Sequence, residues 1–181
     1  MKSDSTAGTL NAILAGGLAG GAAEVLWVMT YSSATTTSSA AVAREITASV
    51  WPAAAQWASA PVLGLGIHLV LAIVLAAACV PVLLHLASRG WRLSLTVISA
   101  TTALVLVWAV NFFVVLPVIN PAFITLMPYG ATLVSKVLFA VAMACSIQYH
   151  TARVVPHGSL VQLRGLARLP HARTHGAGCL T

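Results

Sequence analysis

Between Gly8 and Tyr31 the chain reads GTLNAILAGGLAGGAAEVLWVMTY, an apolar run long enough to cross a bilayer that carries one acid, Glu24. At helical spacing Gly8, Ala12, Gly16, Gly20 and Glu24 recur every fourth residue, so they are expected to share a face: a groove of small residues leading to a carboxylate. Small residues let another helix approach closely, and a carboxyl group in hydrocarbon must face protein or water rather than lipid. The rest of the chain must therefore supply helices that fit the groove and a partner for the acid.

Composition agrees with a membrane setting. Of 181 residues 59% are hydrophobic and only 7% charged, where a soluble domain carries about a quarter charged. Four runs reach the spanning criterion, predicting spans at about 8–31, 61–87, 93–117 and 129–149. The fold class is thus an all-α integral membrane protein: a bundle of four transmembrane helices, preceded by a short polar lead (1–7) and followed by a basic tail (151–181). Between spans one and two, Val42, Ile46 and Val50 lie four apart. They suggest a short interfacial helix with Trp51 and Trp57 at headgroup depth, the alternative being an irregular loop with two aromatic anchors. SSATTTSSA ahead of it is expected to end the first helix, Pro81 to bend the second, and Pro117 to end the third. VINPAFITLMPYG, with Pro121 and Pro128, cannot be one continuous helix, and SRGWR leaves room only for a tight turn.

The net charge of +6 does not indicate nucleic acid, because its members are placed by side rather than by face. Lys2, Arg89, Arg92 and the tail arginines Arg153, Arg164, Arg168 and Arg173 fall on one side, against Arg44 on the other. That asymmetry predicts cytoplasmic termini. Four spans with a Gly-rich, acid-bearing first helix are a style common among small bacterial membrane proteins, so a bacterial-type inner (plasma) membrane is expected. The first run is too long, and Glu24 too polar, for a cleaved signal peptide. Cys79, Cys145 and Cys179 make no disulfide framework, and Cys-Leu-Thr at the end is too short for a prenylation box.

Depth gives the candidate site. Glu24, His68 and Lys136 each lie about seven residues, and Asn111 about six, inside the outer end of a span, on the order of 10 Å deep. Gly64, His68, Ala72 and Ala76 form a small-residue stripe, as do Thr132, Lys136, Ala140 and Ala144. Asn111 shares a bulkier face with Trp108 and Leu104. A lone charge at that depth costs about 2.5–3.5 kcal/mol even on lenient scales. A Glu24–Lys136 ion pair is therefore expected, with His68 nearby and Asn111 meeting leftover hydrogen-bonding groups. Such a cluster either fixes helix register or forms a small polar pocket open to the outer side.

Other chemistry is poorly supplied. Spans one and three hold no histidine, so His68 has no axial partner for haem within the chain; no cofactor and no metal site are expected. His85 and His150 read as interfacial anchors, and His157, His171 and His175 have no ligand spacing. There is no nucleophile elbow, P-loop, HExxH or dinucleotide fingerprint, and three acids leave little for paired-carboxylate catalysis. The expected role is a structural or accessory subunit, its partners the lipid bilayer and other membrane subunits or itself, for which the pairs Gly16–Gly20 and Gly17–Gly21 offer packing grooves. The alternative is a small transporter or ligand-binding membrane protein using the polar pocket; an intramembrane enzyme comes last.

Overall fold

Long apolar runs with few breakers become helices, and every regular element among the described residues is helical. The computed structural model describes residues 3–90 and 92–154. In chain order it contains α1 (Ser3–Ala34), α2 (Ser39–Val50), a 3₁₀ turn (Pro52–Gln56) and α3 (Ala60–Ser88). α4 (Leu93–Val110) then continues through a π-helical turn (Asn111–Val115) into α5 (Leu116–Ile119), followed by α6 (Pro121–Leu126) and α7 (Tyr129–Val154). Four helical stretches are long and apolar enough to cross a membrane: Thr6–Ala34, Ala60–Leu86, Leu93–Ile119 and Tyr129–His150. Lys2 and the tail from residue 155, on which much of the charge asymmetry rests, lie outside the described residues.

Several boundaries differ from the sequence expectation, two of them for a visible local reason; α1 already starts at Ser3. α1 runs on into the Ser/Thr stretch as far as Ala34. There Thr30, Ser33 and Thr35 turn their hydroxyls back onto the carbonyls of Leu26, Thr30 and Tyr31, bonding the last turn from within. The third span passes Pro117 and ends at Ile119. The turn before the proline is widened, with the Leu116 N–H reaching the Asn111 carbonyl, which makes room for a ring that would clash with a regular preceding turn. α7 continues past Tyr149 to Val154. The proline-rich connection breaks at Asn120 and again at Met127, on either side of α6. Gly90 takes φ +77° to make the tight α3–α4 turn.

α1 is the central strut, packing against both α3 and α7, while α4 packs mainly on α7. Its glycines set both interfaces. A Cβ at Gly20 would lie 2.8 Å from the Phe139 ring, and one at Gly16 would lie 3.2 Å from Met143 of α7. On the adjoining face, a Cβ at Gly17 would lie 2.8 Å from the Ile73 Cα, and one at Gly21 would lie 3.0 Å from the Ala72 Cβ. Gly8 departs from the expected groove, exposed with nothing nearby. Each four-residue step overshoots a full turn by about 40°, so the stripe winds away from its partner. α2 rests on α3 at Gly64, where the Ala43 carbonyl occupies the place of a side chain.

The loop-88–92 end of the bundle has one shared core, including Ala12, Ala76, Val80, Leu104, Phe139 and Met143. The α2 end has two clusters, one around Val42, Met127 and Ala131 and one around Trp108, Phe112 and Leu116, with Phe123 packed against both. The space between them is the cavity described below.

Gly17→Ala is expected to destabilise the protein by about 1–3 kcal/mol, because backbone must move to accept the methyl. Gly8→Ala should leave the melting temperature unchanged or raise it; thermal unfolding of both variants in detergent checks the contrast.

Candidate functional site

The glycines that seat α7 and α3 also deliver the polar side chains. Phe139 fills the gap at Gly20, and Lys136 lies three residues earlier on the same face of α7. Ala72 meets Gly21, and His68 lies four residues earlier on α3. Both therefore arrive beside Glu24, one turn further along α1.

The Lys136 Nζ donates to Glu24 Oε1 at 2.7 Å. The Ser135 hydroxyl donates to the same oxygen at 2.9 Å. His68 Nε2 stands 3.5 Å from the other oxygen, Oε2, within ion-pair distance. It is not aligned to bond, and this nitrogen is buried with no hydrogen-bond partner. The carboxylate side chain is 3% exposed against 22% for Lys136, so the acid is enclosed while the ammonium reaches an open space. The Lys136 ammonium also lies 5.8 Å from the Phe139 ring centroid.

Asn111 does not join this cluster. It lines the cavity and makes no side-chain hydrogen bond among the described residues. Ser135 takes the role expected of it. The reason is geometric: Ser135 is on α7, which the glycine groove holds against α1, whereas α4 packs mainly on α7.

A cavity of about 540 Å³ opens beside the cluster, within the range of small-molecule sites. Glu24, His68, Asn111, Thr132, Ser135 and Lys136 supply much of its polar lining; the walls are apolar, among them Val28, Leu75, Phe112, Leu116 and Phe123. Val42, Ala43, Ile46 and Ser49 of α2 close one side. α2 is a short helix at the position where one is expected between spans one and two, held by hydrogen bonds from its polar residues. Asn120 Nδ2 donates to the Glu45 carbonyl (3.1 Å), to Glu45 Oε2 (3.0 Å) and to Ser49 Oγ (3.0 Å). Thr47 donates to the Ala60 carbonyl at 2.7 Å, and Arg44 to the carbonyls of Ala55 and Trp57 at 2.7 and 3.2 Å. Trp51 and Trp57 pack edge to face at 5.1 Å with half their surface exposed.

Two indoles fix the start of α7. Trp27 Nε1 of α1 donates to the Ala131 carbonyl at 2.8 Å, and Trp108 Nε1 of α4 to the Thr132 hydroxyl at 3.0 Å. Neither bond is legible from spacing, because both join residues far apart in the chain; the signal available was two tryptophans inside spans, where an indole N–H needs an acceptor. Asn120 offered a comparable clue, an amide next to a proline in an otherwise apolar stretch.

No group of three or more His, Cys, Asp or Glu side chains among the described residues is placed to hold a metal ion. Compared with known proteins, the chain matches no family model, no curated protein and no solved structure. The chemistry of the site must be taken from its own atoms: a spare carboxylate oxygen, an unbonded imidazole nitrogen, spare ammonium protons and a free amide.

Removing one member of a buried ion pair leaves the other uncompensated, at a cost of about 3–5 kcal/mol. Glu24→Ala and Lys136→Ala are each expected to destabilise the protein more than the double variant does. A double-mutant cycle measured by denaturation checks this, with additive losses the contrary result. Asn120→Leu should loosen α2 without unfolding the bundle, read as faster hydrogen exchange confined to residues 39–57.

Proposed function

We propose that this protein is a multi-pass membrane protein that binds a small molecule in the cavity beside Glu24, His68 and Lys136. The observation that supports the reading is the meeting of two things at one place: an enclosed ion-paired carboxylate and an apolar-walled space of about 540 Å³. A cluster that only fixed helix register would be served better by full enclosure, since open space next to buried charge weakens packing without satisfying more groups. With Arg89 and Arg92 at the loop-88–92 end and Arg44 at the other, the positive-inside rule puts both termini in the cytoplasm and the cavity in the outer half of a bacterial-type inner membrane.

The competing reading, an accessory subunit of a larger membrane complex, leans on the two glycine pairs of the first span. Those pairs are filled by the chain's own α7 and α3, and offer no groove to a partner. Short loops and the exposed apolar surface expected of any membrane bundle remain its support. Native purification separates the readings, since stable co-purifying subunits favour the accessory role.

Ile46 lines the cavity from α2, and Ile46→Trp adds bulk there while leaving Glu24, His68 and Lys136 unchanged. Protein extracted in mild detergent is expected to carry a near-stoichiometric small molecule, detected by mass spectrometry of its organic extract. Ile46→Trp should lose it while keeping its melting temperature within a few degrees. Identical extracts from both proteins would count against the cavity as a binding site.

A further inference from the structure

We infer that the occupant of this cavity is an uncharged amphiphile, a single apolar chain or ring system with a hydroxyl or carbonyl head. The inference rests on the reading of the cavity as a binding site and adds the ligand's charge and shape.

Charge comes first. The cluster holds one carboxylate and one ammonium in contact at 2.7 Å, so their formal charges cancel. A ligand with an anionic head would compete with Glu24 for Lys136, and a cationic head would compete with Lys136 for Glu24. Either would leave one charge of a buried pair without its partner. A neutral head need break nothing. It can donate to the Glu24 carboxylate and accept from the spare protons of Lys136 or from the Asn111 amide, all three residues lining the cavity. Those groups are of both hydrogen-bonding kinds, which suits a hydroxyl.

Shape follows from the walls. Val62 (74%), Leu65 (41%) and Leu71 (52%) of α3 and Ile119 (54%) of α5 line the cavity and also lie on the surface, as do Met29 of α1 and Ser39, Ala40 and Val50 of α2. The mouth is thus edged mostly by apolar side chains, which suits an apolar chain trailing from a head held at the cluster. α2, which carries part of that edge, is held by the Asn120 and Thr47 bonds and by close backbone packing at Gly64.

The test uses the full chain in nanodiscs of neutral phosphatidylcholine and three radiolabelled probes of equal chain length: dodecanol, dodecyl phosphate and dodecyltrimethylammonium. Retention is measured by equilibrium dialysis against empty nanodiscs. Dodecanol should show saturable one-to-one retention that Ile46→Trp weakens about tenfold or more. Asn111→Leu, which preserves bulk and removes a polar partner, should weaken it less, and neither charged probe should compete at equal concentration. If a charged probe binds as tightly as dodecanol in an Ile46→Trp-sensitive way, the neutral-ligand inference is overturned while the cavity remains a binding site. If dodecanol is retained equally by the wild type and Ile46→Trp, or if no probe is retained above empty discs, the inference falls, and in the last case the binding-site reading falls with it.

Discussion

A carboxylate inside an apolar helix is the constraint from which the arrangement follows. Hydrocarbon offers Glu24 no hydrogen bonds, so helices must close around it and bring donors. Lys136 and Ser135 both reach Oε1, and the side chain is left only 3% exposed. The pair is better understood as a demand that the fold must meet than as a source of surplus stability, since desolvating two charges offsets most of their attraction.

Meeting that demand depends on backbone proximity, which the glycines provide. Lipid tails are as apolar as leucine, so helices in a membrane gain little from apolar burial and associate through close packing. Gly20 and Gly21 accept Phe139 and Ala72, and the polar residues three and four positions before those knobs then fall beside the acid. Steric fit and electrostatics are therefore coupled through the helical repeat. The close approach that admits Phe139 also sets the register that puts Lys136 within 2.7 Å.

The cavity has a different origin. α1 and α7 hold together along their length, but α3 and α4 lie on opposite flanks of that pair and share one core only near the turn that joins them. Towards α2 the apolar residues divide into two clusters, and large aromatic groups brace one of them: Trp108 lies 5.6 Å from Phe112, and Phe113 stacks on Tyr129 at 5.2 Å. The widened turn at Asn111–Val115 lies on this wall and presents Asn111 to the cavity. A π-helical turn, a free amide and an open space coincide there, and π-helical turns within α-helices are frequent at functional positions.

From sequence alone, the helices and the intended meeting of Glu24 with Lys136 were within reach, because apolar run length and helical periodicity act locally and an unpartnered charge in hydrocarbon is intolerable wherever it sits. The same local rules extended the glycine stripe to Gly8, which the 3.6-residue repeat carries out of the interface. They also assigned Asn111 to a cluster that Ser135 completes. Tertiary structure alone decided which flank of α1 each helix takes, that Glu45 meets Asn120 while Arg44 bonds the Ala55 and Trp57 carbonyls to fasten α2, and that the helices part to leave a cavity. Those outcomes depend on the fit of side chains distant in the chain, and a spacing rule carries no information about which knobs find which gaps.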